Sequence, residues 1–77
     1  MDTKIAADNM WALVDRSELP DEHDEYGKNH LRAMLSMLAA GEITGEKAHR
    51  WLGWIQGCLC VGKGGTLEDF KAINKKA

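Results

Sequence analysis

Apolar residues recur along this chain at intervals of three and four, the spacing that places side chains on one face of an α-helix. Four segments show this period, over residues 3–16, 22–40, 45–61 and 66–75. No stretch alternates apolar and polar residues for long enough to predict a strand. The pattern therefore predicts an all-α fold, a compact small bundle of about four helices in a single domain over residues 1–77.

The joints between the segments carry helix start and stop signals. Pro20 disfavours helix at the residue before it, and Asp21 is interpreted as the N-cap of the second helix. The acidic run that follows, "DEHDE", would complement the positive end of that helix's dipole. Short connections of this kind favour antiparallel neighbours.

Two later joints repeat one pattern, glycine followed by threonine. Gly41 is predicted to end the second helix and Thr44 to cap the third. A glycine cluster from Gly62 then ends the third helix, and Thr66 with Asp69 three residues on resembles a capping box at the start of the fourth. The residues predicted to form the core of this bundle are Met10, Leu13, Leu31, Leu35, Leu38, Trp51, Leu52, Ile55, Leu59 and Phe70.

The third predicted helix contains two interior glycines away from its apolar stripe. At about 100° per residue, Gly53 and Gly57 fall opposite the core-facing residues. Each interior glycine costs roughly 1 kcal/mol of helix stability relative to alanine. Three interpretations remain open: the first or fourth helix crosses there inside the monomer, a subunit or partner binds there, or the glycines have no packing role.

This glycine face is the candidate partner surface. Tryptophan and arginine are enriched at binding hot spots, although a tryptophan at the edge of an apolar stripe also suits the boundary of a core. Another protein or a second copy of the chain is the expected partner. The candidate surface comprises Arg50, Gly53, Trp54, Gln56 and Gly57.

A formal net charge of −2 argues against a nucleic-acid partner, since such domains carry a basic excess. The segment from Met34 to Trp54 nevertheless reads as helix, glycine-containing turn and helix. Lys47, His49 and Arg50 would open its second helix, as in a recognition helix. A small helix-turn-helix regulator is therefore the alternative interpretation.

Candidate groups for chemistry are few. His23 and His30 are seven residues apart on the predicted second helix, whereas catalytic metal motifs on helices set their ligands four apart. No nucleophile elbow or P-loop is present. We predict no catalytic, cofactor-binding or metal-binding residue, and a protein that is not an enzyme.

The cysteine spacing and the hydropathy pattern bear on location. Cys58 and Cys60 would point about 200° apart on a helix, which is too divergent for a disulfide bond and favours reduced thiols. No apolar run reaches the roughly 18 to 20 residues that span a bilayer, and no secretory signal opens the chain. The bacterial cytoplasm is the expected location.

The string Arg50-Trp51-Leu52-Gly53, then Gln56-Gly57, then the Thr-Leu-acidic start of the last helix, resembles small bacteriophage and prophage proteins of unassigned role. The resemblance covers the C-terminal third to half of the chain. It implies an accessory phage product that binds a protein of the infected bacterium, and it brings no catalytic residues.

Overall fold

The computed structural model describes residues 1–77 and consists of helices joined by short turns, without strands. The all-α class predicted from the hydrophobic pattern is confirmed, but the helices number five because the first predicted helix is interrupted. None of them is both long and apolar enough to cross a membrane. The helices are α1 (Thr3–Asp8), α2 (Trp11–Arg16), α3 (Lys28–Ala39), α4 (Gly45–Val61) and α5 (Leu67–Lys76).

The interruption lies at Asn9, so the prediction of one continuous helix over residues 3–16 is wrong. The Asn9 side-chain amide donates to the carbonyl of Ile5 at 3.0 Å. Its backbone N–H donates to the carbonyls of Ile5 and Ala6 at 3.3 and 3.2 Å. Asparagine side chains compete in this way with the regular backbone ladder. The helix therefore ends at Asp8 and restarts at Trp11.

The start of α3 is also corrected, since this helix begins at Lys28 and its N-cap is Gly27, not Asp21. Residues 21–25, called here the acidic turn, are not helical and lead into a turn at residues 24–26. The His23 ring nitrogen Nδ1 accepts from the N–H of Glu25 at 3.1 Å. The four carboxylates of the acidic turn would lie three or four residues apart on a helix, where like charges repel. The run therefore does not form the first turn of α3, contrary to the prediction.

The later helices agree closely with the sequence pattern. The bounds predicted for α4 are those observed, and α5 begins at Leu67 with Thr66 as its N-cap. The predicted capping box is confirmed: the Thr66 N–H donates to Asp69 Oδ2 at 2.8 Å, and the Asp69 N–H donates to Thr66 Oγ1 at 3.2 Å. Thr44 occupies the N-cap position of α4, but its side chain makes no capping hydrogen bond.

The capping box predicts a pH dependence of stability. Hydrogen bonds from the Thr66 backbone and hydroxyl, and then the charge of Arg16, hold the pKa of the Asp69 carboxyl below its ordinary value. A carboxyl whose pKa is lower in the folded state stabilises the protein above the unfolded-state pKa of about 3.9 and loses that contribution as pH falls through the folded-state pKa. Urea midpoints should therefore separate wild type from Asp69→Asn at about pH 6, and this gap should narrow as pH falls below about 4. A gap that stays constant over this range would contradict the prediction.

The core lies where α4 packs against α1 and α3, and α1 also contacts α5. Every residue of the predicted core is buried except Trp51, which is partly buried at the core edge with Lys47 Nζ at 5.6 Å from its ring centre. The largest side chains that are fully buried are those of Met10, Leu31, Leu35, Leu38, Leu52, Ile55, Leu59 and Val14.

Candidate functional site

The face of α4 turned away from the core carries a stripe of small and apolar residues. Gly53, Gly57 and Val61 follow one another at intervals of four, so that they lie above one another along the helix. Trp54 and Cys58 flank this stripe on the side of the acidic turn. Cys58 lies at the edge of the core, and the other core residues of α4 are on the opposite side, so this stripe remains outside the bundle.

The stripe forms one wall and the floor of an apolar groove with a volume of about 500 Å³. The segment between α2 and α3 supplies the other wall. Both walls are open to solvent: Trp54 is 45% exposed, Tyr26 40% and Val61 84%. This groove is lined by Leu19, Tyr26, Gly53, Trp54, Gly57, Cys58 and Val61.

No part of the chain packs against the two glycines. A Cβ atom added to Gly53 or to Gly57 would meet nothing within 4 Å. By contrast, a Cβ atom at Gly64 would lie 2.5 Å from the Leu13 carbonyl oxygen. The interpretation that another helix of the monomer crosses the Gly53 and Gly57 face is therefore wrong.

A hydrogen bond between side chain and backbone holds the acidic turn against α4, next to the groove wall. The Trp54 indole N–H donates to the carbonyl of Glu25 at 2.8 Å. The neighbouring Tyr26 ring stacks on His23, with ring centres 3.5 Å apart. Gly27 lets the turn close, because a Cβ atom there would lie 2.3 Å from the His23 backbone nitrogen. The two aromatic rings that face the groove are thus held in place.

The groove carries little chemistry of its own. Burial raises the pKa of the Cys58 thiol, which favours the neutral form over the reactive thiolate. Cys60 is exposed on another side of α4, and both cysteines are free. The lining is therefore suited to apolar contact.

Charge is distributed unevenly around the groove. The acidic turn exposes Asp21, Glu22, Asp24 and Glu25, and none of their carboxylates lies within 4.0 Å of a cationic group. The Glu22 carboxylate accepts instead from the Asn29 amide. These four negative charges stand beside the wall that the Trp54 hydrogen bond fixes.

The structure brings together three of the five predicted surface residues. Gly53, Trp54 and Gly57 line the groove, and Arg50 is exposed one turn before Trp54, outside the lining. Gln56 points elsewhere, since its amide Nε2 donates to Asn74 Oδ1 on α5 at 2.8 Å.

Sequence reasoning missed the second wall of the groove. Tyr26 was assigned to a helix that does not form there, and Leu19 follows α2 without a periodic pattern around it. The one available signal was the like-charged run beside Tyr26, which disfavours helix.

No metal-binding cluster is apparent in the structure. His23 lies in the acidic turn and His30 on α3, so the prediction that both lie on one helix is wrong. No group of three or more histidine, cysteine, aspartate or glutamate side chains is arranged to hold a metal ion.

Comparison with known proteins gives no information on the function. No protein-family model, no curated protein and no solved structure matches the chain.

Proposed function

We propose that this protein binds another protein through the groove and has no catalytic activity. On this proposal it is a phage or prophage accessory protein that modulates or inhibits a host protein in the bacterial cytoplasm. The resemblance of the segment around Arg50 to Gln56 supports the phage setting, and the geometry of α4 supports the binding surface.

The proposal rests on the two interior glycines of α4, against which no other part of the chain packs. Two interior glycines cost α4 about 2 kcal/mol relative to alanine. A domain of this length has a total stability of only roughly 4 to 12 kcal/mol. Alanine would fit at Gly53 and at Gly57, since nothing lies within 4 Å of an added Cβ atom. Close approach of a partner to the α4 backbone explains glycine at both positions.

The side chains of the groove walls also support the proposal that the groove binds a protein. Hot spots of protein interfaces are enriched in tryptophan and tyrosine, which bury a large apolar area with few rotatable bonds. Trp54 and Tyr26 are both half-exposed and held by contacts within the chain. A partner would bury two rings that are already oriented.

The variant Gly57→Leu tests this proposal in affinity capture from the bacterial host. The leucine fills the groove floor, so we expect the variant to lose a partner that wild type retains. Leucine is also the better helix former, by about 0.8 kcal/mol, so the melting temperature should hold or rise. The loss of binding would then not reflect unfolding.

Ala72→Leu is the matched control, because it adds the same side chain at an exposed position of α5 outside the groove. The partner should remain bound to this variant. If every protein captured by wild type is also captured by Gly57→Leu, the groove is not the binding surface.

A second candidate is the helix-turn-helix regulator, favoured by the exposure of Lys47, His49 and Arg50 at the start of α4. It ranks lower because the Trp54 hydrogen bond holds the acidic turn beside the same helix, where it would repel phosphate. A gel shift that weakens steeply with salt and is lost in Arg50→Gln would favour it over the protein-binding function.

A further inference from the structure

We infer that the groove accepts a basic amphipathic helix of the partner, with its apolar stripe against Gly53, Gly57 and Trp54 and its cationic side chains on the acidic turn. This inference rests on the proposed function and specifies the chemistry of the partner.

The shape of the groove suits a helix. From Gly53 to Val61 the floor runs along α4 for roughly 12 Å, about two helical turns. An amphipathic helix binds in a hydrophobic groove through residues spaced three and four apart, which matches this length. Sites for small molecules bury about 70 to 90% of the ligand surface, whereas both walls here are open to solvent.

The glycine stripe sets how closely that helix can approach. Packed helix axes are about 8 to 10 Å apart, and the side chains at the contact decide the distance. With no side chain at Gly53 or Gly57, the axes can lie at the short end of this range. The partner's own side chains can then reach the Trp54 and Tyr26 rings on the wall.

The negative charge of the acidic turn determines which charge the polar face of the partner must carry. The four carboxylates of the acidic turn have no cationic group within 4.0 Å. Of the cations that follow the turn in sequence, Lys28 donates to the Asp15 carbonyl at 3.2 Å and Arg32 pairs with Asp15 at 2.7 Å. Arg50 is exposed one turn before Trp54 and is not within 4.0 Å of these carboxylates either. Interfaces place opposite charges against each other, so lysine or arginine belongs on the partner next to this turn.

The same charges disfavour a second copy of the chain in the groove. A two-fold contact through this face would bring both acidic turns to one interface. Each copy would add four further carboxylates, and like charges placed together across an interface cost free energy.

Two synthetic helical peptides of about four turns test the inference. They share one leucine stripe and differ only in the polar face, which is lysine in one and glutamate in the other. Binding to the full-length protein is followed through the NMR signals of the Trp54 indole N–H and the Gly57 amide. The indole signal is assigned with Trp54→Phe. We expect the lysine peptide to shift both signals and to bind at least about tenfold more tightly than the glutamate peptide.

Two charge variants locate the source of this preference. Glu22→Gln, Asp24→Asn and Glu25→Gln together should remove the preference for lysine. The matched control combines Asp8→Asn, Glu42→Gln and Glu68→Gln. It changes the net charge by the same amount at exposed sites outside the groove, so it should retain the preference for the lysine peptide. Equal loss in both triple variants would overturn the inference.

The outcomes separate the inference from the proposed function. If both peptides bind equally and Gly57→Leu abolishes both, the groove binds protein but its partner is not basic. If neither peptide shifts the Trp54 and Gly57 signals, the groove does not bind such helices and the inference fails, whereas the proposed function fails only if Gly57→Leu retains every captured protein. Sedimentation as a dimer that Gly57→Leu returns to monomer would place a second copy in the groove and overturn the basic partner.

Discussion

Replacing Ile55 by alanine should lower the free energy of unfolding by about 2 to 5 kcal/mol. Ile55 is fully buried at the centre of α4, where this helix packs against α1 and α3. The substitution removes three carbon atoms from a core that can collapse only in part. Alanine is the better helix former, but that gain is a few tenths of a kcal/mol and does not offset the cavity. Since the whole domain is stable by roughly 4 to 12 kcal/mol, this loss is a large fraction of the total stability.

Urea unfolding followed by circular dichroism at 222 nm, a wavelength in the helical band, measures this loss. Cys60→Ala serves as the control, because Cys60 is exposed on the same helix and its removal should change the stability by less than about 0.5 kcal/mol. A loss below about 1 kcal/mol for Ile55→Ala would contradict the assignment of this residue to a tightly packed core.

Alanine substitutions at Gly64 and Gly57 should change the stability in opposite directions. A Cβ atom at Gly64 would lie 2.5 Å from the Leu13 backbone oxygen and 2.7 Å from Leu59 Cδ2. Backbone cannot move aside cheaply, so Gly64→Ala should cost about 1 to 3 kcal/mol. The same substitution at Gly57 meets nothing and sits inside a helix, so it should gain about 1 kcal/mol.

Thermal melts of the isolated chain, dilute enough to suppress association, compare the two variants directly. The chemical change is identical in both variants, so they differ only in the helix propensity and in the packing around the new methyl group. Destabilisation by Gly57→Ala would mean that the α4 face is packed inside the monomer. It would also remove the main support for the groove as a binding surface.

The helical pattern predicted α4 in full, including both ends, because its sequence is locally consistent. Its apolar residues keep one face over 17 residues, Thr44 precedes it as the N-cap and Gly62 follows it as the C-cap. The pattern also placed Gly53 and Gly57 opposite the core. Three of the five predicted surface residues line the groove, and their shared position on α4 follows from helix geometry alone.

Helix geometry alone did not predict the surroundings of Gln56. Its position beside the glycines on the helical wheel suggested a shared surface, yet its amide pairs with Asn74. Which neighbour covers the flank of a helix depends on how α5 packs, and residues 18 apart in sequence give no periodic signal.

The chain by itself determined the helical class, the core stripe and the two bare glycines, since these follow from local propensity and from the period of apolar residues. Only the tertiary structure decided where α3 begins and what faces the glycines. In a continuing helix the Glu25 carbonyl would accept from the N–H of Asn29. Here it accepts from the Trp54 indole N–H, and the Asn29 N–H donates to the backbone carbonyl of Asp21 at 3.1 Å. That choice depends on a contact between residues 29 apart, and it brings Tyr26 to the groove wall and leaves four carboxylates beside it. Local pattern does not specify such a contact, because its free energy arises only once α4 and the acidic turn meet in the folded chain.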